Sequence, residues 1–165
     1  VSCSQSKFFA STEPKAAYLK YLEGLLANIK SLQDYDVCGH LDFIARYNPS
    51  GTKQLSYGDY ADVLDTILKT IIESGHGIEL NTAGYRYGLK QAHPSLEILL
   101  RYRQLGGEII TVGSDAHKPE DIGFNSIIAY ELLRAAGFHY ITHFKERKAH
   151  FINLDRIHKN YAFTA

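Results

Sequence analysis

The sequence contains no methionine and no tryptophan, and only two cysteines and four prolines among its 165 residues. Without any methionine it reads as a piece of something longer, or as a processed chain. Its start, Val1-Ser2-Cys3, resembles neither an initiation site nor a targeting peptide. Cys3 and Cys38 form no CxxC pair and match no zinc-finger spacing, so reduced thiols in a cytosolic protein are expected. An excess of charge is missing too. Eighteen basic residues balance eighteen acidic ones, which argues against a general nucleic-acid binder. No apolar run approaches the ~20 residues of a membrane helix, and no secretory signal is present, so the expectation is a cytoplasmic protein without membrane association. With 45% apolar and 22% charged residues, the chain is not disordered, collagen-like or of low complexity. Its length suits one domain or part of a larger one, and no linker divides residues 1–165.

What is present is an alternation of amphipathic helices and short apolar strands. Thr12 is the expected N-cap of a helix with Pro14 in its first turn, and Tyr18, Leu22, Leu25, Leu26 and Ile29 line one face. A short strand follows over Asp36–Gly39, then a loop over Tyr47–Gln54. Ser56 and Asp59 resemble a capping box opening a helix that carries Val63, Leu64, Ile67, Leu68, Ile71 and Ile72 and stops at Gly75 and Gly77. Gly77–Asn81 reads as a strand, followed by a long polar loop to Pro94. Ser95 is expected to cap a third helix ending at Gly106-Gly107. Glu108–Gly113 has the strongest strand pattern, with Ile109-Ile110-Thr111-Val112 at its centre. A helix over about Ser126–Ala136, strands at Tyr140–Thr142 and Phe151–Leu154 that could pair, and a short helix or turn from Asp155 complete the pattern. The alternation implies an α/β fold with a largely parallel sheet and helices packed outside it, either open or part of a barrel. Four or five strands are too few to close a barrel alone.

Residues capable of chemistry collect just after the strands. They are Gly39-His40-Leu41-Asp42 with Arg46, Glu79 and Asn81 with Tyr85, Arg86 and Tyr87, and Gly113-Ser114-Asp115-Ala116-His117. In parallel α/β folds the carboxyl ends of strands converge on the site. Imidazole and carboxylate together suit Zn, Mn or Fe. His40 with Asp42, and Asp115 with His117, are two apart, a spacing that on extended chain projects both side chains to one side. The alternatives are a capped turn with a hydrogen-bonded imidazole, Asp115 as a helix cap, and Arg46 and Arg86 as surface residues. Loops that follow candidate ligands favour anion binding by those arginines, since a planar guanidinium grips phosphate with two donors. Cys38 reads as core packing. His93 belongs to a loop on the site face, and His76, His139, His143, His150 and His158 read as structural or surface residues.

Three segments together resemble the PHP superfamily, and most closely its histidinol-phosphatase branch: Gly39-His40-Leu41-Asp42 with Arg46-Tyr47, Gly77-Ile78-Glu79-Leu80-Asn81-Thr82, and Gly106 to His117. The resemblance runs from about Glu13 to Asn153. It implies parallel β/α units from the C-terminal part of a distorted, TIM-like (β/α)7 barrel, with the N-terminal part and its H-x-H motif missing, and so a single partial PHP domain over residues 1–165. It further implies hydrolysis of L-histidinol phosphate to L-histidinol and phosphate in histidine biosynthesis, with as many as three divalent ions (Zn, Mn or Fe) in the intact fold. Carried onto this sequence, His40, Asp115 and His117 become metal ligands. Arg46 and Arg86 become phosphate-binding residues, and Asp42 orients a ligand or holds a proton near the leaving group, making Asp42 and Asp115 the catalytic pair. The competing expectations are a PHP enzyme acting on another small phosphate ester, and an inactive fragment that self-associates through exposed barrel edges.

Overall fold

The structure, a computed structural model, describes residue 9 and residues 13–49 and 54–161. Helix α1 spans Pro14–Ser31 and buries Ala17, Tyr18, Leu22 and Ile29. Its N-cap is Glu13, whose carboxylate accepts from the Lys15 and Ala16 N–H groups at 3.1 and 3.4 Å. Pro14 has no N–H, so the orphan donors begin one residue later, within reach of the longer Glu side chain. The expected cap, Thr12, lies outside the described residues, as do Cys3 and residues 50–53 of the expected loop.

Helix α2 spans Ala61–Glu73 and buries Leu64, Ile67, Leu68 and Ile71, a helical stripe packed on α1. Each such buried side chain contributes about 1.5–3 kcal/mol. The helix starts later than the sequence suggests. Ser56 and Asp59 form no capping box; a 3₁₀ turn at Gly58–Tyr60 intervenes and no side chain caps α2. Next to Ser56, the Tyr57 N–H donates to Glu97 at 3.2 Å, a tertiary contact.

Strands β1 (Val37–Cys38), β2 (Gly77–Asn81) and β3 (Ile110–Gly113) form a parallel sheet in the order β1-β2-β3. The register pairs Cys38 with Ile78 and Asn81 with Gly113. Ile78, Leu80 and Ile110 are fully buried beneath the helices. Between β2 and β3 lie a single helical turn, α3 (Ala83–Arg86), inside the expected long loop, and α4 (Leu96–Gln104). Ser95 makes no side-chain cap on α4. Its backbone N–H donates to Asp42 Oδ2 at 3.2 Å instead.

After α5 (Ser126–Ala135) the chain forms an antiparallel hairpin, β4 (Tyr140–Lys145) and β5 (Lys148–Asn153), followed by α6 (Leu154–Tyr161). The parallel sheet therefore holds three strands, and the last two form a sheet of their own. Glu146 and Arg147 both have positive φ (52° and 61°), the two-residue turn that matches strand twist. Neither is glycine or asparagine, so the turn costs about 1–2 kcal/mol per residue. The Arg147 guanidinium, bonded to Asp34 and Asp36, fastens the hairpin tip beside the start of β1. On the other side, Ile110 N–H donates to Thr142 Oγ1 at 3.2 Å, tying β4 to β3.

Candidate active site

The carboxyl ends of the three parallel strands meet, as the sequence suggests. Their centre is Glu79, the one half-buried position in an otherwise buried strand. Glycines on both flanking strands make room for it. A Cβ at Gly39 would stand 3.0 Å from Glu79 Oε2, and a Cβ at Gly113 would overlap Oε1. Oε2 pairs with His40 Nδ1 at 3.2 Å and accepts from Asn81 Nδ2, also at 3.2 Å. Asn81 in turn accepts the Ala83 N–H on Oδ1 at 2.9 Å. The hydrogen bond to Glu79 outweighs burial and raises the His40 pKa above its ordinary 6.5. Burial pushes the Glu79 carboxyl up, but the hydrogen bonds from His40 and Asn81 prevail and its net shift is downward. Beneath the pair, burial and the Glu79 charge push the Cys38 thiol up to about 11, which keeps it an inert packing group.

The two-residue spacings do not act as extended chain. His40 and Asp115 both adopt left-handed backbone, with φ of 58° and 49°. At His40 this separates the pair: His40 stays partly open while Asp42 is fully buried. Asp42 Oδ1 holds His93 Nδ1 at 2.9 Å, and Oδ2 takes the Ser95 N–H. His93 is buried with its Nε2 unpartnered, and an antiparallel bridge joins its backbone to Asn81. Asp115 and His117 remain near each other, Oδ1 to Nδ1 at 4.0 Å, but the His117 side chain is 77% exposed and its Nδ1 pairs with the Asp115 carbonyl.

Arg46 stands on the 3₁₀ turn Phe43–Tyr47. Among the described residues it makes no ion pair; its guanidinium instead lies 4.8 Å from the Phe43 ring, 4.8 Å from Tyr47 and 3.7 Å from Tyr87. Its charge also reaches His40. Arg86 differs. Nη2 donates to the Ser114 and Asp115 carbonyls at 2.7 and 2.9 Å, and Nη1 faces Asp121 at 3.2 Å. Nη2 thus holds the loop after β3, while Nη1 is buried without a hydrogen-bond partner among the described residues.

His40, Glu79 and Asp115 thus gather with Arg46, while His117 turns outward. The imidazole and carboxylate donors are of a kind that suits a Zn-class ion. Among the described residues, however, no group of three or more such donors is close enough to hold one. Sequence reasoning gave Glu79 no role beyond its place at a strand end, although a carboxylate inside Gly-Ile-Glu-Leu-Asn is itself a signal. The Asp42–His93 contact spans 51 positions, and no local pattern announces it.

No protein-family model matches the chain. It is 32% identical over 122 residues to a protein described as a probable histidinol-phosphatase of Clostridium acetobutylicum, covering 73% of this chain and 47% of that protein. It is 27% identical over 143 residues to the histidinol-phosphatase of Lactococcus lactis, covering 87% and 53%. A probable histidinol-phosphatase of Thermotoga maritima gives 30% over 122 residues, covering 73% and 49%. The crystal structure of histidinol phosphate phosphatase from Lactococcus lactis, complexed with Zn, L-histidinol and phosphate, superposes with a TM-score of 0.74 at 26% identity, over 87% of this chain and 54% of that one. The chain spans about half the length of the curated relatives it matches. Its mixed α/β fold with a three-stranded parallel sheet is that of a histidinol-phosphatase-like protein.

Proposed function

We propose that this chain is part of a metal-dependent histidinol-phosphatase of the PHP superfamily, the C-terminal portion of its distorted (β/α)7 barrel, with residues 1–165 forming one partial domain. The reaction is hydrolysis: a water oxygen bonds to phosphorus, the ester P–O bond breaks, and L-histidinol leaves with a proton as the alcohol. The observation that carries this reading is the union of His40, Glu79, Asp115 and an Arg46 with no ion pair among the described residues, at the carboxyl ends of parallel strands, in a fold shared with an enzyme complexed with Zn, L-histidinol and phosphate.

His40, Asp115 and His117 are the residues that would hold divalent ions (Zn, Mn or Fe), with Glu79 beside His40. Such ions would supply an acidified water, its pKa lowered toward ~7, and neutralise phosphoryl charge. Arg46 binds the phosphoryl oxygens, because its donors meet aromatic faces rather than carboxylates. Arg86 is assigned to the loop: it fixes the Asp115 carbonyl and so aims the carboxylate. Asp42, fully buried, acts through His93, holding one tautomer of its imidazole. Donors beyond the described residues complete the metal site, and the chain alone is inactive in this reading.

The test is phosphate release from L-histidinol phosphate, beside a panel of other small phosphate esters, by protein of the relatives' full length that includes this chain, with Zn, Mn or Fe. Preferential hydrolysis of L-histidinol phosphate, lost by orders of magnitude in Asp115→Ala, supports the reading. Preference for another ester, or release that Asp115→Ala leaves intact, overturns it.

A further inference from the structure

Tyr87 joins the two halves of the site. Its ring lies under the Arg46 guanidinium at 3.7 Å, the shortest of the three ring contacts that surround this cation. Its hydroxyl donates to Asp115 Oδ2 at 3.4 Å. Phe43 and Tyr47 belong to the same short turn as Arg46 and move with it. Tyr87 comes from the segment after α3, 41 positions away along the chain, and alone among the three rings reaches Asp115. The segment that carries it is itself tied down: the Tyr87 N–H donates to Ala83 O, and Arg86 next to it grips Ser114 and Asp115.

We propose that Tyr87 is a positioning residue that holds the Arg46 guanidinium over its ring and, through its hydroxyl, beside the Asp115 carboxylate, so that one phosphate group can meet both the arginine and whatever Asp115 holds. This rests on the proposed function of the site. The physical argument is one of freedom. An arginine without a carboxylate partner samples many rotamers, and its entropy is lost when an anion binds. A ring face orders it beforehand without neutralising it, because cation–π attraction leaves every N–H in the guanidinium plane free to donate. A carboxylate would order it equally well and occupy those donors. The hydroxyl adds the second constraint, since it keeps the ring in register with Asp115.

The proposal separates ring from hydroxyl. Tyr87→Phe keeps the face and loses the tie to Asp115, whereas Tyr87→Leu loses both. Two readouts are taken on the protein that carries this chain. The first is the Nε–H resonance of Arg46 in the metal-free protein, with Arg101, ion-paired to Asp65, as an internal reference for correct folding. The second is the affinity for inorganic phosphate in the presence of Zn. The Arg46 resonance is expected to carry a ring-current shift in the wild type and in Tyr87→Phe, and to lose it in Tyr87→Leu. Phosphate affinity is expected to fall about 2- to 5-fold in Tyr87→Leu, the range of an exposed cation–π contact, and by less in Tyr87→Phe, which keeps the face and loses the hydroxyl.

An Arg46 resonance that Tyr87→Leu leaves in place overturns the proposal whatever phosphate does. So does phosphate affinity equal in wild type and Tyr87→Leu. Equal loss in Tyr87→Phe and Tyr87→Leu overturns the role of the ring. A wild-type protein that binds no phosphate, while the Arg46 resonance still responds to Tyr87→Leu, overturns the reading of the site itself and the clamp's purpose with it.

Discussion

Glu79 and His40 show how single residues set the chemistry of this site. A carboxylate on a strand flanked by two glycines can keep this position, since a Cβ at Gly113 would push it aside and one at Gly39 would crowd it. Its bond to His40 raises the imidazole pKa in the metal-free protein. A raised histidine stabilises the fold fully below its unfolded value of 6.5 and loses that contribution as pH rises through the folded pKa. Glu79→Gln keeps the side-chain shape and removes the charge. The imidazole of His40, followed by NMR in metal-free protein, is expected to titrate above 6.5 in the wild type and at lower pH in Glu79→Gln. Unchanged titration would mean that the pair is not coupled.

Among the elements, α2 and α4 are joined by a side-chain bridge. Arg101 donates to both oxygens of Asp65, at 2.8 and 2.5 Å, and the Tyr57 hydroxyl adds a bond at 2.8 Å. The Arg101 hydrogen bonds hold the Asp65 carboxyl down to about 2, from an ordinary 3.8. A depressed carboxylate contributes stability that is fully present above 3.8 and is lost as pH falls through about 2. Asp65→Asn is therefore expected to lower the urea midpoint at pH 5–7 and to approach the wild type near pH 2, measured by denaturation across that range. A difference that is constant with pH would show that the bridge works by packing and not by charge. The hairpin shows the same logic at its tip, where the Arg147 bonds to Asp34 and Asp36 accompany a turn built without glycine.

At the scale of the whole molecule, the chain covers about half of its relatives' length, and its described residues gather no group of three metal-ligand side chains. No helix among the described residues is long and apolar enough to cross a membrane. Chain prepared without tag or chelator is expected to hold less than one equivalent of Zn, Mn or Fe by elemental analysis, and protein of the relatives' full length to hold at least one. Stoichiometric metal on this chain alone would mean that His40, Glu79, Asp115 and His117 close into a site without further donors.

Periodicity made much of the fold legible. The stripe Leu64, Ile67, Leu68 and Ile71, the strand Gly77–Asn81 and the glycine stops follow from the 3.6- and 2-residue repeats, because burial of one face is a local demand on sequence. The clustering of polar residues after three strands was legible too, since parallel strands deliver their carboxyl ends to one side. Other features were decided only by contacts distant in the chain. Tyr57 found Glu97, Asp42 found His93 and turned away from His40, and Arg86 Nη2 bound backbone. Tyr87 found Arg46 in the same way. The local repeats determine which face is buried. They leave undetermined which polar partner satisfies a donor or a charge, because that depends on which atoms three-dimensional packing brings within about 3 Å.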